Sequence, residues 1–159
     1  MATDATQSWG VAPLDTLKSM SGLEFLTAIR DDRLPGPPIS RGLAFRMAEV
    51  EHGRVVFEGF PSSEHYNPIG TVHGGYAATL LDSCMSCAVQ STLPKGTGYT
   101  TLEFKVSLVR AITVDTGRVL AEGRVLTTGR RVGTAEGRLL DSSGKLLAHG
   151  TATCLIMEL

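Results

Sequence analysis

Asn67-Pro-Ile-Gly-Thr-Val-His-Gly-Gly-Tyr-Ala-Ala-Thr-Leu-Leu-Asp82 is the stretch on which the reading of this chain turns. It divides into a polar front with turn-forming residues, a His73-Gly74-Gly75 joint, and a run with helical spacing. Continued downstream, that run predicts a helix from about Gly75 to Leu93 with two unlike faces. Ala77, Leu80, Leu81, Cys84, Ala88 and Ser91 form a stripe suited to burial. The other side, with Gly75, Ala78, Thr79, Asp82, Ser86 and Val89, is built mostly of small residues that let something lie beside Asp82. Between Glu64 and Lys95, Asp82 is the only formally charged side chain. An ionised carboxylate in such surroundings is costly unless it is paired, hydrogen-bonded or chemically employed. Glycines at the helix start allow another molecule to approach the backbone, and the first helical turn leaves N–H groups without partners inside the helix. Donors of that kind suit a developing negative charge.

Outward from this stretch, Pro94-Lys95-Gly96-Thr97-Gly98 stops the helix, and the rest of the chain reads as strand. Leu102, Phe104, Val106 and Leu108 alternate with Thr101, Glu103, Lys105 and Ser107, the period-two signature of a sheet with one wet face. Residues 118–127 and 131–140 repeat the alternation more weakly, with Gly123, Gly133 and Gly137 as points of bending. Asp141-Ser142-Ser143-Gly144 predicts a hairpin turn, and residues 145–157 return from it. Upstream, residues 43–50 and 55–60 form a second hairpin pattern about Glu51-His52-Gly53-Arg54. Leu17, Met20, Leu23, Leu26 and Ile29 recur every third residue and predict one amphipathic helix from Leu14 to about Ile29. Pro35, Gly36, Pro37 and Pro38 end that helix in a stiff connection. Residues 1–14 read as a loose arm and 15–159 as a single α+β domain. A long antiparallel sheet with one strongly apolar helix implies a sheet curled around that helix. Its open edges invite a second copy.

At 159 residues, 42% hydrophobic and 19% charged, the chain has the composition of one globular domain with a substantial core. A formal net charge of −1 gives no long-range field for nucleic acid or an anionic membrane. No apolar run is long enough to span a bilayer, and the N-terminus has no apolar signal core, so a cytoplasmic protein is expected. Cys84 and Cys87 form a C-x-x-C well inside the predicted helix, without the second pair that zinc requires. They read, with Cys154, as small buried side chains in a reducing compartment, and no metal site is expected.

With Asn67, His73-Gly74-Gly75 and Thr79-Leu80-Leu81-Asp82 in place, the sequence resembles the PaaI-like branch of the hotdog-fold acyl-CoA thioesterases over most of its length. The resemblance implies a hotdog fold, with an antiparallel sheet wrapped around a central helix and an N-terminal helix beside it. It also implies a homodimer or homotetramer with active sites at the subunit interface. In that scheme Asn67 and the Gly74 N–H hold the thioester carbonyl oxygen, and Asp82 from across the interface attacks or activates water. Thr101, followed by Leu102-Glu103-Phe104, matches the Ser or Thr that holds the water in several relatives. Strict alternation instead puts Thr100 on the face preferred by the apolar residues, and strand register decides between them. Ser86, one turn after Asp82, is a third candidate.

Thioester hydrolysis needs a nucleophile at the carbonyl carbon and donors for the oxygen as it gains charge. The thiolate of coenzyme A leaves readily, which fits a chain lacking G-x-S-x-G. Coenzyme A is part of the substrate, and no separate cofactor is expected. His73 reads mainly as a backbone-bonding residue. Gly75 serves close packing, Tyr76 lines the acyl pocket or the core, and Arg130 with Arg131 grips coenzyme A phosphates or belongs to a solvated turn. The activity expected is hydrolysis of an acyl-CoA, with aryl or phenylacetyl groups favoured over long chains. The alternatives are an acyl-CoA-binding regulator or scaffold without turnover, and a hydratase or dehydratase using His73 with Asp82.

Overall fold

The computed structural model describes residues 7–159. In chain order these form helices α1 (Leu14–Ser19), α2 (Gly22–Arg30) and α3 (Pro38–Gly42), strands β1 (Phe45–Glu51) and β2 (Arg54–Gly59), and helix α4 (Gly74–Gln90). Strands β3 (Thr97–Leu108), β4 (Val119–Thr128), β5 (Val132–Asp141) and β6 (Leu146–Glu158) follow. Among the described residues the strands make one six-stranded sheet in the order β1-β2-β4-β5-β6-β3, every pairing antiparallel. β1 and β3 are therefore its edges.

The sheet curves around α4, which packs against β2, β3, β4, β5 and β6. All six residues of the predicted stripe, from Ala77 to Ser91, are buried, and Leu80, Leu81, Cys84 and Ala88 are wholly so. Burial extends further around the helix than the stripe, because Val89 and Ser86, expected on the opposite side, are buried as well. The glycines of β4 and β5 explain how a sheet can come so close. A Cβ on Gly123 would lie 2.1 Å from the Cys84 carbonyl oxygen, one on Gly137 2.8 Å from Met85, and one on Gly133 2.6 Å from Val89. These positions, expected to be bends, are where the helix rests on the sheet.

The helix predicted over residues 14–29 is in fact two. Ser21 interrupts it by closing a capping box: its Oγ accepts the Glu24 N–H at 3.2 Å, and the Glu24 carboxylate accepts the Ser21 N–H at 2.8 Å. The new helix then docks its first residue, Gly22, whose N–H donates to the Leu93 carbonyl at 2.9 Å. At the other end of that contact α4 stops at Gln90, short of the expected Leu93, and the hydroxyls of Ser91 and Thr92 turn back to the carbonyls of Ala88 and Val89. The stiff connection includes α3, with Pro38 at its first position. Residues 1–6 of the expected loose arm lie outside the described residues. From Ser8 to Gly10 the chain is tied down, with Gly10 N–H donating to Gly36 O at 3.0 Å and Gly36 N–H to Ser8 O at 2.9 Å.

Candidate active site

The loop before α4 is closed by its own side chains. The Asn67 carboxamide oxygen accepts the N–H groups of Ile69 (3.1 Å) and Thr71 (3.2 Å), and Nδ2 donates to Thr71 Oγ1 at 2.9 Å. Three bonds fix the amide plane, and Nδ2, which carries two hydrogens, keeps one for another acceptor. The chain then enters α4 through Val72 and His73, whose N–H groups donate to Ile112 O and His65 O, both at 2.8 Å. His73 is the N-cap: its Nδ1 accepts the Gly75 N–H at 2.8 Å, the backbone role expected of it. The Gly74 N–H, one residue earlier, meets no acceptor among the described residues. Both glycines keep the space beside the helix start clear. A Cβ at Gly74 would lie 2.7 Å from Leu108 Cδ1, and one at Gly75 would lie 2.9 Å from His73 Nδ1, disturbing the cap.

Asp82 is half-buried, and its Oδ1 accepts a hydrogen bond from Thr101 Oγ1 at 3.0 Å. A β-bulge makes this contact possible. Thr101 pairs with Cys154 and Glu103 with Thr153, so Leu102 is an extra residue that reverses the parity of the strand. Without the bulge Thr101 would share the wet face with Glu103, whose carboxylate accepts from Thr153 Oγ1 at 2.6 Å. With it, Thr101 faces α4, and Thr100 is exposed at the rim of the cavity into which Asp82 opens.

Asp82 opens into a cavity of about 650 Å³. One wall comes from α4 and β3, with Thr79, Ser83, Ser86, Cys87, Tyr99 and Thr101. Ser86 is buried there, and the Tyr99 hydroxyl donates to its Oγ at 3.4 Å. Burial raises the Cys87 thiol from 9.0 to about 12 and raises Tyr99 strongly, so both stay neutral. The other wall is aliphatic and aromatic, from Leu17, Phe25, Ile29 and Met47, and includes Trp9. Sequence reasoning missed this wall. The one available signal was the chain's single Trp standing in an otherwise small and polar arm.

Other expected site residues lie elsewhere. Tyr76 is buried in the core with its ring stacked on His65, centroids 4.9 Å apart, and is not part of the cavity wall. Arg130 and Arg131 are exposed in the β4–β5 turn and line a separate hollow of about 800 Å³ with Leu93 and Pro94. No group of three or more His, Cys, Asp and Glu among the described residues is arranged to hold a metal ion, and no helix is long and apolar enough to cross a membrane.

Asn67 and the Gly74 N–H thus stand at the start of α4, while Asp82 lies eight residues along it, about 12 Å away at 1.5 Å per residue. A curved antiparallel sheet gripping one long helix, with an acid in that helix and free donors at its start, is the hotdog arrangement. The thioesterase superfamily profile matches residues 69–148. Human acyl-coenzyme A thioesterase 13 is 30% identical over 106 residues, covering 64% of this chain and 71% of that protein. A candidate esterase of Halobacterium salinarum is 41% identical over 69 residues, but the match spans only 42% of this chain and 44% of that protein. Among solved structures, a candidate thioesterase of Ralstonia eutropha JMP134, a phenylacetic acid degradation-related protein, superposes with a TM-score of 0.75 at 27% identity, over 82% of this chain and 98% of that one. The chain belongs to the thioesterase superfamily.

Proposed function

We propose that the protein hydrolyses an acyl-CoA to the free acid and coenzyme A, in a cleft shared by two copies of the chain. The observation that carries this reading is the Asp82 carboxylate, oriented by Thr101 and opening into a largely apolar cavity. In the reaction, Asp82 attacks the thioester carbon or takes a proton from the water that does. The carbonyl oxygen gains charge and is held by Asn67 Nδ2 and the Gly74 N–H, at the positive end of the α4 dipole. Collapse of the intermediate expels the coenzyme A thiolate, which needs no strong acid; where Asp82 itself attacks, water then cleaves the acyl–Asp82 anhydride to release the acid and restore the carboxylate.

Because Asp82 and Gly74 stand about 12 Å apart on one helix, a single chain does not bring its acid to its own donors. The reading therefore takes the donors from a second copy, as homodimer or homotetramer. Its support is the edge strand β3, which exposes Leu102 (57%), Phe104 (41%) and Leu108 (60%). Arg130 and Arg131 enter only as phosphate grips offered by a neighbouring copy, since within one chain they line a different hollow. An aryl or phenylacetyl group is the acyl portion proposed, in keeping with the Ralstonia relative. Cytoplasmic location belongs to the same reading, supported by the free thiols of Cys84, Cys87 and Cys154.

A panel of acyl-CoAs assayed by release of free thiol, with Asp82→Asn run alongside, tests the proposal. Thiol release by the native chain and its loss in the variant are expected. Binding of acyl-CoA without thiol release replaces hydrolysis by a scaffold role, and hydration of an enoyl-CoA replaces it by a hydratase.

A further inference from the structure

The far wall of the Asp82 cavity is made by a piece of chain outside the sheet and helix that define the fold. Trp9, Gly10, Val11 and Ala12 line the cavity, together with the Pro35–Pro37 segment. α1, which follows, buries none of its residues and has no side-chain cap, so it does little to hold this piece in place. The hold is local instead. Trp9 forms a parallel bridge with Gly36, and the flanking Gly10 and Ser8 exchange two hydrogen bonds with it. Gly36 is tailored to that contact. A Cβ there would fall 3.0 Å from Trp9 Cζ3 and 2.9 Å from Gln7 Nε2, so the indole rests where a side chain would otherwise stand.

From this we infer that Trp9, seated on Gly36, sets the acyl-size limit of the cavity, closing it to long chains while leaving room for compact acyl groups. The inference rests on the acyl-CoA reading of the site and adds a specificity-determining residue to it. A wall residue outside the sheet and helix is a sensitive place to control size, because each methylene of a chain that gains or loses a buried seat changes affinity by about four-fold. Removal of the indole lets a long chain leave the cavity along the path the segment now blocks. A methyl group on Gly36 crowds the indole at 3.0 Å and loosens its seat, a weaker disturbance of the same contact.

The test uses two thioethers of coenzyme A that cannot be hydrolysed, one carrying a phenethyl group and one a hexadecyl group. Their dissociation constants are measured calorimetrically for the native chain, Trp9→Ala, Gly36→Ala and Trp9→Phe, with thermal melting as the check on folding. In the native chain the phenethyl compound binds more tightly. In Trp9→Ala the ratio of the two constants moves toward the long chain by about ten-fold or more, in Gly36→Ala it moves the same way by a smaller factor, and Trp9→Phe retains most of the native ratio. An unchanged ratio in folded Trp9→Ala and Gly36→Ala overturns the inference, as does failure of the native chain to bind either compound. Gly36→Ala keeps the question open to test if Trp9→Ala does not fold. Since the thioethers report binding alone, a shifted ratio in a protein that releases no thiol from any acyl-CoA removes the hydrolytic reading and leaves the wall standing.

Discussion

Asp82 and Thr101 depend on one another through a single hydrogen bond of 3.0 Å, so the value of that bond can be measured. Thr101→Val keeps the shape and deletes the donor. A hydrogen bond to a charged group contributes about 1.5–3 kcal/mol, so kcat for thiol release is expected to fall roughly ten- to a hundred-fold. A kcat within a factor of about two of the native value would remove Thr101 from the mechanism. His73 has a different task. His73→Ala deletes the N-cap that receives the Gly75 N–H, and urea titration should show a loss of about 1 kcal/mol in stability. At this scale the sequence was partly readable. The lone charge in an oily run marked Asp82, and adjacent glycines marked the helix start. The choice between Thr100 and Thr101 was hidden, because one inserted residue, Leu102, reverses strand parity without leaving a signature in composition. Trp9 was hidden for another reason: its partner Gly36 is distant in sequence, and no periodicity links them.

Among the elements, α4 was legible as a helix and its burial was not legible in full. Its stripe predicted one packed face, whereas the curved sheet covers Ser86 and Val89 too. The glycines of β4 and β5 carried that information but read equally well as bends. Gly123→Ala distinguishes the meanings. A bend would tolerate a methyl group, but here the methyl would meet the Cys84 carbonyl at 2.1 Å. Melting or urea titration should therefore show a loss of about 3 kcal/mol or a chain that fails to fold. The helix also carries a half-buried thiol in the cavity wall. Cys87 is raised from 9.0 to about 12 by burial, so the unfolded chain releases its proton first as pH climbs. The stabilisation is complete below pH 9 and disappears as pH approaches about 12. Burial also raises Cys84, Cys154 and Tyr99, so equilibrium unfolding from pH 8 upward should show a shared decline that Cys87→Ala makes shallower without abolishing it. An equal decline in both proteins would place its origin elsewhere.

For the whole molecule, the central question is whether acid and donors act across two copies. Mixing two inactive variants answers it. When Asp82→Asn and Asn67→Ala chains are unfolded together and reassembled in equal amounts, half the dimers contain one of each. Such a mixed dimer holds one intact site, formed by Asp82 of one chain and Asn67 of the other, and one doubly altered site. Thiol release should recover to about one quarter of the native rate. If each chain used its own Asp82 with its own Asn67, no recovery would follow. A companion measurement concerns the exposed edge. Phe104→Asp puts a charge on β3 beside Leu102 and Leu108, and light scattering should show a shift toward single chains with thiol release falling in parallel. Open edges were legible from the strand pattern. Which edge would carry the exposed apolar residues was not, because alternation alone does not say where the covering helix ends.

β3 touches the candidate site twice, through Thr101 beside Asp82 and through Leu108 above Gly74. The segment between them is in effect a spacer of fixed length. Losing or gaining one residue there would move one anchor relative to the other and turn every intervening side chain over. Length variation among descendants of this chain should therefore collect in the loop after Leu108 and be rare between the two anchors.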